Sequence, residues 1–354
     1  MNEILFLGGF LLLIAIFLGL DLGVVNRKNH IISFKEALIW TCVWITMALL
    51  FYVFIRFHAE WIHGVDSMEK LQFLNTKHGH GLKLNPELGF EANLDMYRKA
   101  MSLEYITGYL IEKALSVDNI FVMIMIFLSF KVNPKYYHKV LFWGILGAVV
   151  MRFAFIFLMA ALVQRFAFIL WIFGGILIMT GVKMFLERNK KEEKNMRKHP
   201  VVRFASKHLP MTRNFYEGRF FVKLRGRHYM TPLFLVLLII EFSDVIFAVD
   251  SIPAIFSVTL DPYIVFFSNI FAILGLRSLF FVLSNVMDKF AYLKIGLAVL
   301  LVFIGVKMLL HGIFHISIGT GLSLLIIIGI LAVCIIVSLL FPPKEKNPPV
   351  QTQK

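Results

Sequence analysis

Stretches of about 17–25 consecutive apolar residues recur from one end of the chain to the other, and this feature limits the fold more than any other. Coiled into a helix, a run of that length crosses roughly 30 Å of hydrocarbon. Within a bilayer every backbone N–H and C=O needs a partner from the protein itself, which leaves helices and closed barrels as the spanning structures. Barrel strands are short and alternate in polarity. Long unbroken runs therefore predict an all-α, polytopic membrane protein. Of the 354 residues, 59% are hydrophobic and 16% charged, with a mean hydropathy of +0.78. Soluble domains lie nearer 45–50% and 25%, so a soluble enzyme, a disordered chain and a disulfide scaffold are set aside. The two cysteines, Cys42 and Cys334, sit in separate apolar runs and are expected to be buried packing residues.

Nine spans are expected, over residues 4–20, 37–56, 104–129, 139–163, 166–186, 231–257, 263–284, 292–310 and 320–341. The first lacks a basic leader and a small-residue cleavage site, so it reads as a retained helix. Net charge is +14, and the basic residues gather in alternate loops. Arg27, Lys28 and Lys35 follow span 1; Lys131, Lys135 and Lys139 follow span 3. Thirteen Lys and Arg lie between Arg188 and Arg227, and Lys289 and Lys294 follow span 7. Retention of basic loops in the cytoplasm accounts for this pattern without invoking nucleic acid. It places the N-terminus outside and the C-terminus, with the polar tail 342–354, inside. Residues 58–103 become an extracytoplasmic insert containing His58, His63, His78 and His80. A His-Gly-His tripeptide in a polar loop is ordinarily solvated, so metal collection there is the minor reading.

Two spans share an acidic signature. Span 3 carries Glu112, then four residues, then Val117-Asp118-Asn119-Ile120; span 6 carries Asp244, four residues, then Val249-Asp250-Ser251-Ile252. The spans that follow agree in order. The acidic signatures stand 132 residues apart; Arg152 answers to Arg277 at an offset of 125, and Phe166-Ala167 to Phe290-Ala291 and Gly181-Val182-Lys183-Met184 to Gly305-Val306-Lys307-Met308 at 124. Duplicating three spans, an odd number, turns the second copy upside down, the inverted repeat of many secondary transporters. The chain then divides into a two-helix segment (1–57), the insert (58–103), a first repeat (104–186), a basic cytoplasmic loop (187–229), a second repeat (230–311), a final helix (312–341) and a disordered tail (342–354).

Glu112, Asp118, Glu241, Asp244 and Asp250 all fall within apolar spans. An acid at the bilayer centre costs about 2.5–3.5 kcal/mol. Five facing lipid would cost on the order of 10–15 kcal/mol, as much as the whole stability of a typical protein. They must face a polar interior, pair with cations such as Lys113, Arg152 or Arg277, or stay protonated; Lys183 and Lys307, near span ends, can snorkel. Six residues of helix advance about 9 Å and rotate by about 600°. Two acids six apart in one straight helix therefore cannot share an ion at about 2.0–2.6 Å. A common site needs both repeats, most simply Asp118 and Asp250. Pro253 frees the carbonyl of Val249 and predicts a break in span 6, where that carbonyl becomes a ligand. With Asn119 and Ser251 the donors are all oxygens, which suits Mn²⁺, Ca²⁺ or Mg²⁺. No phosphate-binding loop, dinucleotide fingerprint, zinc-protease motif or catalytic triad is present, so neither an enzyme nor a resident cofactor is expected.

The segments EKALSVDNIF (112–121) and EFSDVIFAVDSIPAIF (241–256) closely resemble the signatures of the TerC/Alx family of integral membrane proteins, as do DLGVVNRKNH (21–30), with its Asp21, and YITGYLIEK (105–113). The resemblance implies a multi-pass protein of the bacterial inner membrane, within the LysE-like transporter superfamily. Members are linked to manganese export, to tellurite resistance and, by older naming, to redox modulation. The family's motif acids fall on Glu112, Asp118, Asp244 and Asp250, with Asn119, Glu241 and Ser251 beside them. The expectation is a divalent-cation exporter, Mn²⁺ foremost, working by alternating access and open to proton coupling. The competing expectation is a non-transporting assembly or biogenesis factor tied to tellurite or stress resistance, with the basic loop as its docking surface. Metal ion and lipid bilayer are the partners implied; nucleic acid is not.

Overall fold

The computed structural model describes residues 3–25, 32–166, 168–187, 210–212, 214–216, 218–224, 226–286, 293–314 and 318–340. Arg27, Lys28, most of the basic loop (188–209), Lys289, the tail 342–354 and the side chains of Asp21 and Lys294 lie outside the described residues.

Every expected span falls on a helix. The helices are α1 (Glu3–Val25), α2 (Phe34–His58), α5 (Gly89–Ser129), α6 (Tyr137–Arg165), α7 (Ile169–Glu187), α8 (Pro232–Phe256), the pair α9 (Pro262–Leu274) and α10 (Leu276–Val286), α11 (Leu293–Phe314) and α12 (Thr320–Leu340). Two short helices, α3 (Glu60–His63) and α4 (Met68–His78), occupy the insert. A hairpin of β1 (Phe221–Leu224) and β2 (Arg227–Met230), with Phe221 opposite Met230, precedes α8. Among the described residues, five helices are long and apolar enough to cross a membrane, or six if the bent pair α9–α10 is one span. α5 carries Glu104, Glu112, Lys113 and Asp118 in its apolar part, and the described side chains of α1 and α11 form apolar stretches over Glu3–Gly19 and Ile295–Leu310.

Local sequence sets the boundaries. Ser33 and Ser67 cap α2 and α4, accepting from the backbone N–H of Glu36 and Lys70. Gly64 and Gly79 end α3 and α4 in the left-handed conformation, at φ 63° and 64°. α5 does not respect the boundary expected at residue 103. Its 41 residues reach about 60 Å, twice the hydrocarbon thickness. Its first half thus stands outside the spanning layer, held by Arg98, which grips Glu60 with two bonds of 2.7 Å.

Aromatic side chains join the flanking helices to the bundle: Phe10 meets Phe267 at 4.4 Å, and Phe51 meets Phe271 at 4.9 Å between ring centroids. Helices α7 and α11 approach closely through glycines. A Cβ at Gly305 would lie 2.6 Å from the Gly174 carbonyl oxygen, and one at Gly181 would lie 2.7 Å from that of Ala298. Under the 124-residue offset Gly174 answers to Ala298 and Gly181 to Gly305, so each contact is the other with the copies exchanged. The residue numbers rise along one helix as they fall along the other, so the two helices run antiparallel. An inverted repeat requires this pattern.

Candidate functional site

Arg152, on α6, lies at the centre of the bundle and is 1% exposed. One Nη donates to Glu112 of α5 and, at 2.6 Å, to the Asn269 amide oxygen of α9; the other reaches Asp244 of α8 at 3.2 Å. The first acid of each duplicated signature is thus bound to one guanidinium. Glu112 and Asp244 are fully or nearly buried, and each keeps one carboxylate oxygen without a hydrogen-bond partner. Space beside Asp244 is pinched to about 10 Å³, roughly a single water's requirement. Lys113 does not pair with its neighbour Glu112, since adjacent helical residues point in different directions. Its Nζ donates instead to the carbonyl of Ala272 at 3.2 Å, beside Gly275, where α9 and α10 part at 45°.

The second acids form another layer. Asp118 and Asp250 are half-buried, and their carboxylates are close enough to repel one another. Thr180 of α7 donates to Asp250 at 3.4 Å, so this layer too joins the two halves. Asn119 and Ser251 are buried beside their aspartates, and the Ser251 hydroxyl has no hydrogen-bond partner. Glu241 lies against the bare Cα of Gly147, where any added methyl would overlap its carboxylate, and within reach of Asp244's charge.

Three expectations are corrected. Span 6 is not broken at Pro253: α8 continues to Phe256, because the proline falls in the last turn and Ser251 through Phe256 are all buried and held by packing. The Val249 side chain faces outward at 42% exposure, and the break lies at Gly275 instead. Lys307 does not snorkel. It is buried, attracted by Glu104, at a cavity of about 440 Å³ also lined by His80, Phe256, Ser257 and Thr320. That cavity opens between the halves at the insert's end of the bundle.

Of the insert's four histidines only His58 is solvated; His63, His78 and His80 have buried side chains. His63 and His78 are 1% and 2% exposed. His63 bonds Glu3 at 2.9 Å and Asp261 at 2.8 Å, one through each ring nitrogen. Burial opposes its charge, but the Asp261 and Glu3 carboxylates win and hold the imidazole up at about 9. Burial likewise pushes Asp261 upward, yet His63 outweighs it and keeps that carboxyl well below the usual range. Desolvation lowers His78, whereas Glu104, bonded to His80 at 2.9 Å, overcomes it and raises His80. Thr180, Asn269 and Asp261 were not singled out from the sequence. Asn269, an amide inside an apolar run, was the detectable signal.

A sequence model described as the integral membrane protein TerC family matches residues 97–346. The chain belongs to the TerC family. An uncharacterized membrane protein of Myxococcus xanthus is 44% identical over 94% of this chain and 91% of its own length. Alx of Escherichia coli (strain K12) is 43% identical over 94% and 93%, and its name gives it, provisionally, the role of a membrane-bound redox modulator. A membrane protein of Rickettsia bellii is 38% identical over 94% and 96%. No solved structure matches. The TerC-family match includes both acidic signatures, Arg152 and the α7–α11 seam, and begins within α5, so most of the insert precedes it. Cys42 and Cys334 are both free thiols, on α2 and α12, and, against expectation, neither is fully buried: Cys42 is exposed and Cys334 half-buried, because the first lies on a face of its helix that the bundle does not cover and the second on one that it covers only in part.

Proposed function

We propose that this TerC-family protein exports divalent metal ions, Mn²⁺ foremost, across the bacterial inner membrane, with its N-terminus outside and its C-terminus in the cytoplasm. The observation that carries this reading is that Asp118 and Asp250, from opposite halves and both half-buried, lie within reach of each other's charge. Such a pair is costly in a low-dielectric interior unless a cation or a proton intervenes. Two carboxylates, the Asn119 amide and the unpartnered Ser251 hydroxyl form an oxygen set suited to a hard divalent ion.

The two acidic layers divide the work. Glu112 and Asp244 are held by Arg152, which fixes α5, α6 and α8 at a common point. Asp118 and Asp250, the latter accepting a hydrogen bond from Thr180, hold the ion. Glu241 lies beside this path as a supporting acid. When the ion leaves, the two carboxylates take up protons; when it arrives, they release them. The cycle therefore exchanges up to two protons per divalent ion, and the halves rock about the α7–α11 seam to open each side in turn.

The test is cellular manganese under excess Mn²⁺, and Mn²⁺ flux in inverted vesicles, for Asp118→Asn and Asp250→Asn. Both are expected to abolish export while the protein stays folded and in the membrane. Undiminished flux by either folded variant would remove the proposed site.

A further inference from the structure

Outside the acidic layers, a second cluster lies where the insert meets the bundle. His63 ends α3, His78 ends α4, and Asp261 caps the start of α9. One ligand-capable atom from each lies within 4.8 Å of the other two, and all three residues are buried. Asp261 is fixed in place: one carboxylate oxygen caps α9 by accepting the Tyr263 N–H at 2.9 Å, which leaves the other for His63. The feature that a simple ion pair does not explain is His78. Both of its ring nitrogens are buried and have no hydrogen-bond partner, although its ring centre lies only 5.3 Å from that of His63. A buried polar group without a partner carries its full desolvation penalty. An ion between these rings would remove it.

We propose that His63, His78 and Asp261 form a binding site for a first-row transition-metal dication, Zn²⁺ being the occupant whose usual ligands they match. Two imidazoles and one carboxylate match the donor set of three-ligand zinc sites. They differ in kind from the all-oxygen layer inside the bundle, and nitrogen donors favour Zn²⁺ over Mn²⁺. His63 is oriented as a ligand should be, with its far nitrogen held by Glu3 in the carboxylate–histidine arrangement that fixes the tautomer and raises basicity. Ligand atoms on one tetrahedral zinc lie about 3–4 Å apart. The cluster must close by up to about an ångström, which His78, held by no hydrogen bond, can supply by rotation. His80 repeats the pattern: Nδ1 is bound to Glu104, and Nε2 is buried without a partner. His80 also lines the 440 Å³ cavity, which gives the ion a route from solvent. The bound metal would tie α3 and α4 to α9 and, through Glu3, to α1, fastening the insert onto the second half. This inference rests on no part of the export reading.

The full-length protein, purified in detergent and stripped with a chelator, is titrated with Zn²⁺ alone and with Mn²⁺ alone. Wild type is expected to take up one Zn²⁺ per chain, held more tightly than Mn²⁺, and to unfold at a higher temperature with zinc present. His78→Ala should lose this equivalent. Asp261→Asn, which preserves the helix cap and guards against a folding failure, should lose it too. Glu3→Gln, altering only the orienting carboxylate, should weaken it about 10- to 100-fold. Asp250→Asn should leave it unchanged. The proposal is overturned if folded wild type binds no zinc, if Asp261→Asn and Glu3→Gln bind as wild type does, or if Asp250→Asn is the change that removes the ion. Loss of Mn²⁺ export with zinc binding intact would bear on the transport reading alone.

Discussion

Arg152 holds two carboxylates at the centre of the bundle, and water cannot replace it. A buried charge that loses its partner costs about 3–5 kcal/mol, whereas removing a whole buried ion cluster can be close to neutral. Arg152→Gln is therefore expected to destabilise the protein by about 3–5 kcal/mol, and adding Glu112→Gln with Asp244→Asn to restore most of the loss. Denaturant unfolding in detergent, compared across the single and triple variants, measures this; a single variant as stable as wild type would show that Arg152 does not hold the layer together. The five acids were legible one by one, because charge is conspicuous in an apolar run. Their division into two layers was not, because it depends on where α6 and α7 place Arg152 and Thr180. The same holds for His78 and His80, whose polar loop context suggested exposure until packing against α9 and α5 removed it.

Helices α7 and α11 touch backbone to backbone because glycines leave room for the approach. Overpacking a close contact costs about 1–3 kcal/mol, and the two positions are not equally tight. A Cβ at Gly305 would come within 2.6 Å of a carbonyl oxygen, and one at Gly174 within 3.1 Å. Gly305→Ala should thus lower thermal stability, and slow any motion across the seam, more than Gly174→Ala; equal or reversed effects in thermal unfolding would contradict the packing described. The motif Gly-Val-Lys-Met occurs in both helices and was visible as a repeat, but its use as a contact was not. The break at Gly275 went unforeseen for a related reason. A proline announces a possible kink in sequence, whereas a glycine bends a helix only where a neighbour, here Lys113, satisfies the released carbonyl.

At the scale of the whole molecule, α5 threads from the insert to the opposite end, where the first turn of α6 and the residue before the β1–β2 hairpin lie near each other: Lys139 packs over Phe220 at 5.0 Å. With the bundle in a bilayer, the insert and the hairpin face opposite sides. In a background without Cys42 and Cys334, a cysteine at Lys83 should react with an impermeant thiol reagent from outside intact cells, and a cysteine at Lys135 or Lys223 only after the membrane is opened; all three positions are exposed. Labelling of Lys83 and Lys223 cysteines from the same side would refute this arrangement.

The sequence alone determined that the chain is an integral membrane protein built of helices, that it belongs with the TerC proteins, and that five acids must be kept from lipid. The first and last follow from run length and the cost of burying charge, which act locally and can be read residue by residue; the family rests on the resemblance of the motifs at 112–121 and 241–256. Tertiary structure decided which acids are neutralised by Arg152, that Asp118 and Asp250 lie within reach of each other's charge, where the bundle bends, and that His63 and His78 are buried against Asp261. Each of these depends on residues far apart in the chain, and only the packing of the helices sets the distances between them.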